Sequence, residues 1–174
     1  DNLPRRENNA RVLQRRIAAL ARSLARKYPI VTITGPRQSG KTTLARMVFP
    51  RKPIVSLEDP DTRDYAQTDP RGFLAQYAAG AVLDEIQRVP ELLSYLQGMI
   101  DKNRRPGLFI LTGSQQLGLL QAISQSLAGR TALLKLLPFD LGELRGYPGE
   151  AQDLFQTLYR GSYPAVHEEH HNPT

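Results

Sequence analysis

The sequence predicts an α/β fold, a five-stranded parallel sheet covered on both faces by helices in three αβα layers. Three observations carry this. Five short apolar runs, Ile30–Thr34, Ile54–Leu57, Ala81–Leu83, Leu108–Thr112 and Thr131–Leu137, alternate with segments of helical periodicity. The runs lack the apolar/polar alternation of a half-exposed sheet, as strands buried on both faces do. A Gly-rich turn joins the first run directly to a helix, and 174 residues suit one domain that buries roughly 70% of the surface of its unfolded chain.

The elements follow in order. From Asn8 to Lys27, Leu13, Ile17, Leu20 and Leu24 recur at helical spacing and form one narrow apolar stripe, with Arg11, Arg15, Arg22 and Arg26 on the other faces. Pro29 closes that amphipathic helix, and the β-branched run from Ile30 is the first strand. The helix Lys41–Val48 ends before Pro50 and Pro53, and Ile54–Leu57 is the second strand. Glu58–Asp69 reads as an acidic, turn-rich loop. Pro70 suits the first turn of a helix carrying Phe73, Leu74 and Tyr77, which Gly80 stops. A third strand ends in Asp84-Glu85, Pro90 opens a helix bearing Leu92, Leu93, Leu96 and Ile100, and a fourth strand runs to Thr112. Gln115–Leu127 is helical, the fifth strand follows, and Asp153–Tyr159 is a final short helix. The expected boundaries are a basic N-terminal helix over 1–28, a domain over 29–166 and a tail over 167–174.

Composition narrows the function. With no cysteine there are no disulfides, thiolate metal sites or thiol nucleophiles, which fits a reducing compartment. The mean hydropathy of −0.41 and the short apolar runs exclude a helical membrane span. No leader-like start is present, so a cytoplasmic protein with no membrane partner is expected. The chain opens on Asp1 rather than Met, as a trimmed piece of a longer protein would. The net charge of +6 is uneven: residues 1–52 carry 13 Lys and Arg against Asp1 and Glu7, and the remainder is net acidic.

Gly35-Pro36-Arg37-Gln38-Ser39-Gly40-Lys41-Thr42 fits G-x4-G-K-[ST] and falls between a strand and a helix, the context a phosphate-binding loop requires. The glycines let the backbone wrap so that N–H groups from about Gln38 to Thr42 face inward and join the positive helix terminus as a cradle for phosphate oxygens. Lys41 is placed to touch the β and γ oxygens, the Thr42 hydroxyl is a ligand Mg²⁺ accepts, and Thr43 reaches the α-phosphate. The implied cofactors are ATP and Mg²⁺.

A cradle alone hydrolyses nothing. The apolar strand ending in Asp84-Glu85 supplies an acid to hold the Mg²⁺ hydration shell, Asp84, and a second carboxylate, Glu85, to accept a proton from attacking water. Thr112 or Ser114, at the end of the fourth strand, can orient that water, because ligands of open α/β sheets bind at the carboxyl ends of strands. Arg130 offers a cation for transition-state charge, from the same chain or a neighbouring subunit.

These stretches, together with L-E-D-P-D-T-R, L-D-E-I-Q-R-V-P-E-L-L, I-L-T-G-S and S-L-A-G-R-T-A-L-L, resemble the prokaryotic AAA-type ATPases of the AAA+ superfamily from about Ile30 to Val166. The resemblance implies the three-layer P-loop NTPase fold, with Gly35–Thr43 as Walker A, Asp84 and Glu85 as Walker B, Thr112–Ser114 as sensor and Arg130 as a candidate finger. Members usually continue into a C-terminal domain of unknown function, expected to be absent from a chain that stops at Thr174.

The reading is an Mg²⁺-dependent ATPase that couples hydrolysis of ATP to ADP and phosphate to a conformational change on a client. The alternative is a nucleotide-gated switch with slow hydrolysis, acting on nucleic acid or protein. A small-molecule kinase is disfavoured by the acid after Asp84. A homo-oligomer follows if Arg130 acts in trans. The basic helix can meet nucleic acid, an acidic protein or its own domain. His167-Glu168-Glu169-His170-His171 matches H-E-x-x-H, but Pro164 and Pro173 leave little room for the helix a zinc pair needs, so a solvated tail is expected.

Overall fold

In a computed structural model, which describes residues 15–114, 116–144 and 161–164, the chain builds the expected three-layer sandwich. The helix α1 spans Ile17–Ala25, and β1 Ile30–Gly35 leads into α2 Lys41–Val48. β2 Ile54–Ser56 is followed by α3 Pro60–Thr68, α4 Pro70–Gln76 and β3 Val82–Asp84. A 3-10 turn at Ile86–Arg88 precedes α5 Leu92–Lys102, and β4 Phe109–Ser114, α6 Leu117–Ser126, β5 Thr131–Lys135 and α7 Leu141–Leu144 complete the order. Asn8–Gln14, Asp153–Tyr159 and the His167–His171 run lie outside the described residues.

The five strands are parallel in the order β2-β3-β4-β1-β5. β1 is flanked on both sides, with Ile33 opposite Thr112 of β4 and Leu134 of β5. Alternate residues of β1 and β4 feed two separate cores, which is why neither strand shows polar alternation in sequence. Val31, Ile33, Val82, Ile110 and Leu134 meet α1 and α2. Ile30, Leu83, Phe109 and Leu111 meet Phe73, Leu74, Leu92, Leu93, Leu96, Ile100, Leu119 and Ile123 of α4, α5 and α6. Each fully buried Leu, Ile or Phe contributes about 1.5–3 kcal/mol of transfer free energy.

Four local expectations are corrected. Pro60–Thr68 is helical rather than loop: Pro60 fits the first helical position, Asp59 Oδ2 accepts from the Thr62 hydroxyl at 2.6 Å, and buried Ala66 with Tyr65 edge-on to Phe73 holds it down. The α1 stripe is shifted: Ile17 and Leu24 pack against the core as expected, but Ala18 and Ala21 are the buried residues and Leu20 is half exposed, because two small residues let the helix lie close to the sheet. Arg15 is not on a solvent face but buried, 9% exposed. β5 is shorter than expected, ending at Lys135.

Candidate nucleotide site

The turn between β1 and α2 lies at the carboxyl edge of the sheet. Gly40 (φ 84°) and Gln38 (φ 60°) adopt the left-handed conformation that folds the chain back on itself. Gly35 is required for another reason: a Cβ there would run into the Leu136 carbonyl oxygen, where the chain leaving β5 crosses the loop and Leu136 N donates to Thr34 O at 2.7 Å. No side chain among the described residues caps the first turn of α2, which leaves its N–H groups available to a ligand. Ser39 is fully buried, and its hydroxyl donates to Pro36 O at 2.9 Å.

Lys41 is buried and its Nζ donates to Pro36 O at 2.7 Å and Gly35 O at 3.3 Å. Burial lowers its pKa from the ordinary lysine value, an effect partly offset by the negative charges of Glu85 and Asp84 and reinforced by Arg37. The ammonium therefore rests on neutral carbonyls in a poorly solvated loop, an arrangement that a phosphate would improve.

Asp84, 8% exposed at the end of β3, accepts through Oδ1 from the Thr42 hydroxyl at 2.8 Å and from the Thr112 hydroxyl. β4 lies between β1 and β3, so Thr112 fills the gap between the loop strand and the acidic strand. Its Oγ1 also accepts from Glu85 N at 3.2 Å, which supports Glu85 in a left-handed conformation (φ 58°) that costs a non-glycine residue about 1–3 kcal/mol. The Glu85 carboxylate accepts from the Gln87 amide, whose Oε1 in turn accepts from Ser114 N at 3.3 Å. Gly113 accommodates this link, since a Cβ would sit 2.8 Å from Gln87 Oε1. Ser114 Oγ is buried without a hydrogen-bond partner among the described residues. No cluster of three or more His, Cys, Asp or Glu that could hold a metal ion occurs among them.

The structure thus gathers Gly35, Pro36, Arg37, Gln38, Ser39, Gly40, Lys41, Thr42, Thr43, Asp84, Glu85 and Ser114 at one edge. It does not bring Arg130 there. Thr131 pairs with Ile30 at the start of β1, which puts Arg130 at the opposite edge, about 17–20 Å away across a six-residue strand. There it makes a two-pronged contact with Asp101, at 2.7 and 2.8 Å. The cis form of the finger expectation is set aside for that reason.

Two residues of the site had no sequence signal. Gln87 is one. Arg15 is the other: its Nη1 donates to Ser39 O at 3.3 Å, its Nη2 to Leu137 O, its Nε lies 3.3 Å from Glu143 Oε1 without hydrogen-bonding geometry, and its Cζ sits 4.4 Å from the centre of the Phe139 ring. An arginine of the basic N-terminal segment is a strut beneath the phosphate loop. Burial lowers its pKa, opposed by Glu143 and Asp140.

A parallel sheet with a glycine-lysine loop after β1, an acid ending β3 and a strand inserted between them defines a P-loop ATPase fold. The AAA domain model matches residues 27–145, and the chain belongs to that family. It is 36% identical over 124 residues to the uncharacterized proteins Mb2031c of Mycobacterium bovis and Rv2008c of Mycobacterium tuberculosis. The match covers 71% of this chain but spans only 28% of the length of those curated relatives. Among solved structures, the Walker-type ATPase PABY2304 of Pyrococcus abyssi superposes with a TM-score of 0.52 at 17% identity, covering 76% of this chain and 55% of that one, a likeness of fold. The AAA-type family and the five-stranded parallel fold are as the sequence implied, and they support nucleotide binding and hydrolysis in general terms. No helix among the described residues is long and apolar enough to cross a membrane.

Proposed function

We propose that the protein hydrolyses ATP to ADP and phosphate with Mg²⁺ and transmits the change to a client. The observation that carries this is the 2.8 Å contact of Thr42 with Asp84, which joins the phosphate loop to the acidic strand beside Glu85. The residues fit both groups: a left-handed turn with uncapped amides suits phosphate, and a hydroxyl against a carboxylate suits a hard cation. Gly35 to Thr43 surround the phosphates, Lys41 exchanges its carbonyl contacts for phosphate oxygens, and Thr42 and Asp84 hold the metal. When bound, Mg²⁺ supplies positive charge against the β and γ oxygens. Glu85 takes the proton of the attacking water, and Ser114 Oγ, buried with no hydrogen-bond partner among the described residues, holds that water. Arg130 can act only from another copy of the chain, so its part depends on assembly.

The slow, switch-like alternative is favoured by one observation: the carboxylate of Glu85 is tied to the Gln87 amide. The test is phosphate release with Mg²⁺-ATP alongside nucleotide binding. Glu85→Gln should keep binding and lose turnover by roughly 10²–10⁴-fold, the worth of general-base catalysis. Lys41→Ala should weaken binding itself. Unchanged turnover in the first variant removes Glu85 as base, and unchanged affinity in the second removes the site.

A further inference from the structure

The fold gathers one group of basic residues, distant in sequence, at the edge of the sheet that faces away from the phosphate loop. Five connections enter the strands there: 26–29, 49–53, 77–81, 103–108 and 127–130. Together they hold seven Lys or Arg and no Asp or Glu: Arg26, Lys27, Arg51, Lys52, Arg104, Arg105 and Arg130. Lys102, the last residue of α5, adds an eighth cation, and Asp101 beside it is the one acid at the border. The connections leaving the strands at the other edge carry Arg37 and Arg88 against Glu58, Asp59, Glu85, Glu91 and Asp140. The connections at the two edges therefore differ in sign.

The basic connections form one surface, because they bond to each other. Gly107 N donates to Tyr28 O at 2.8 Å, Lys52 Nζ to Leu108 O at 2.9 Å, Arg104 Nη2 to Gly129 O at 2.7 Å and Arg105 Nη2 to Ala78 O at 2.6 Å. These acceptors are neutral carbonyls, so they fix the cations in place without cancelling their charge, and a guanidinium has five N–H donors of which each of these bonds uses one. Arg26, Lys27, Arg51, Arg104 and Arg105 are exposed and have no ion pair among the described residues; only Arg130 is neutralised, by Asp101. The crowding is felt by Lys52, whose pKa is lowered by burial and then by the charge of Arg105.

We propose that this edge is a docking surface for the phosphate backbone of duplex nucleic acid. A group of cations that outnumbers its one bordering carboxylate, Asp101, with Lys52, Arg104 and Arg105 held in place by backbone carbonyls, matches a regular line of phosphates, and binding releases the counterions condensed on it. Among the described residues the surface exposes one large apolar side chain, Tyr28, too little for base stacking along a single strand or for insertion into a membrane interface. Recognition is of backbone rather than sequence, since no element here is set to enter a groove. The surface is separate from the nucleotide site and does not depend on hydrolysis.

The test is fluorescence anisotropy of a labelled duplex with the full chain, at salt from 50 to 200 mM, beside a single strand and anionic phosphatidylserine vesicles. Four to five phosphate contacts give a slope of log K against log salt of roughly −4. Arg26→Glu with Lys27→Glu should lower affinity at least tenfold and flatten the slope by about 2, whereas the charge-matched pair Arg63→Glu with Lys135→Glu, off this edge, should change it less than about twofold. ATP turnover of the first pair should match the parent, so failure here is distinct from failure of the ATPase reading. Absence of duplex binding at 50 mM, equal loss in both pairs, binding to single strand or vesicles alone, or a self-association that only the first pair abolishes would each overturn the proposal.

Discussion

The hydroxyl of Thr42 and the carboxylate of Asp84 meet at 2.8 Å although the strands before them are not neighbours in the sheet. The intervening β4 makes the contact possible by supplying Thr112, so that Asp84 is held from two sides and cannot turn away from the loop. The pair is thereby placed before any ligand arrives, and the cost of ordering it is met by folding.

Thr112→Val removes a fully buried hydroxyl that serves both Asp84 and the Glu85 backbone. Glu85 N then loses its acceptor and Asp84 keeps only the Thr42 hydroxyl as donor, and leaving one such group unpartnered costs about 1–3 kcal/mol of stability. Supporting residues of this kind are worth roughly 10–100-fold in metal affinity or activity, so the Mg²⁺ concentration for half-maximal phosphate release should rise by that order. Measurement of the Mg²⁺ dependence with urea unfolding separates the two effects; an unchanged Mg²⁺ requirement would show that Thr112 only braces the strand.

Gln87→Ala frees the Glu85 carboxylate from its amide partner. A hydrogen bond to a charged group contributes about 1.5–3 kcal/mol, so basal turnover should rise roughly 10–100-fold with KM for ATP unchanged. A fall in kcat instead would mean that the amide aims the carboxylate rather than restrains it.

Arg15→Ala leaves Glu143 buried without its countercharge and the Ser39 and Leu137 carbonyls without a donor. Breaking a buried ion pair from one side costs roughly 3–5 kcal/mol. Arg15→Lys keeps the charge but not the fork that reaches two carbonyls. Stability should return in part while KM for ATP stays raised; recovery of both together in thermal melts and kinetics would reduce Arg15 to a packing residue.

The Arg130 contact and hydrogen bond hold the Asp101 carboxyl below its ordinary pKa of 3.8. Its native pKa is lower than its unfolded one, so the stabilisation is complete above the ordinary value and is lost as pH falls through the lower, folded value. Asp101→Asn should therefore destabilise at neutral pH and converge with the parent in strong acid. A difference in urea midpoint that persists unchanged at the acid end would disprove the linkage.

The parts legible in the sequence were those whose signal is local. Gly35 to Thr42 is one contiguous stretch whose spacing dictates a turn, and Val82-Leu83-Asp84 states both a buried strand and its polar end. The helix Pro60–Thr68 escaped because it buries only Ala66 and so carries no apolar stripe. Arg15 escaped because its partners lie 24 and 122 residues away. Gln87 looks like any polar residue after a strand until Gly113 and Ser114 are folded against it. Arg130 precedes a strand, and its distance from the loop follows only from which end of β5 pairs with Ile30. The basic edge is dispersed over connections remote in sequence, and the charge excess of residues 1–52 reveals Arg26, Lys27, Arg51 and Lys52 but not that Arg104, Arg105 and Arg130 join them.

Similarity to the AAA domain begins at residue 27, yet the Arg15 guanidinium is inserted under the loop that follows β1. A fragment trimmed to the region of similarity would keep every motif residue and lose the prop that holds Ser39 against Leu137. The smallest piece worth expressing on its own therefore starts upstream of α1.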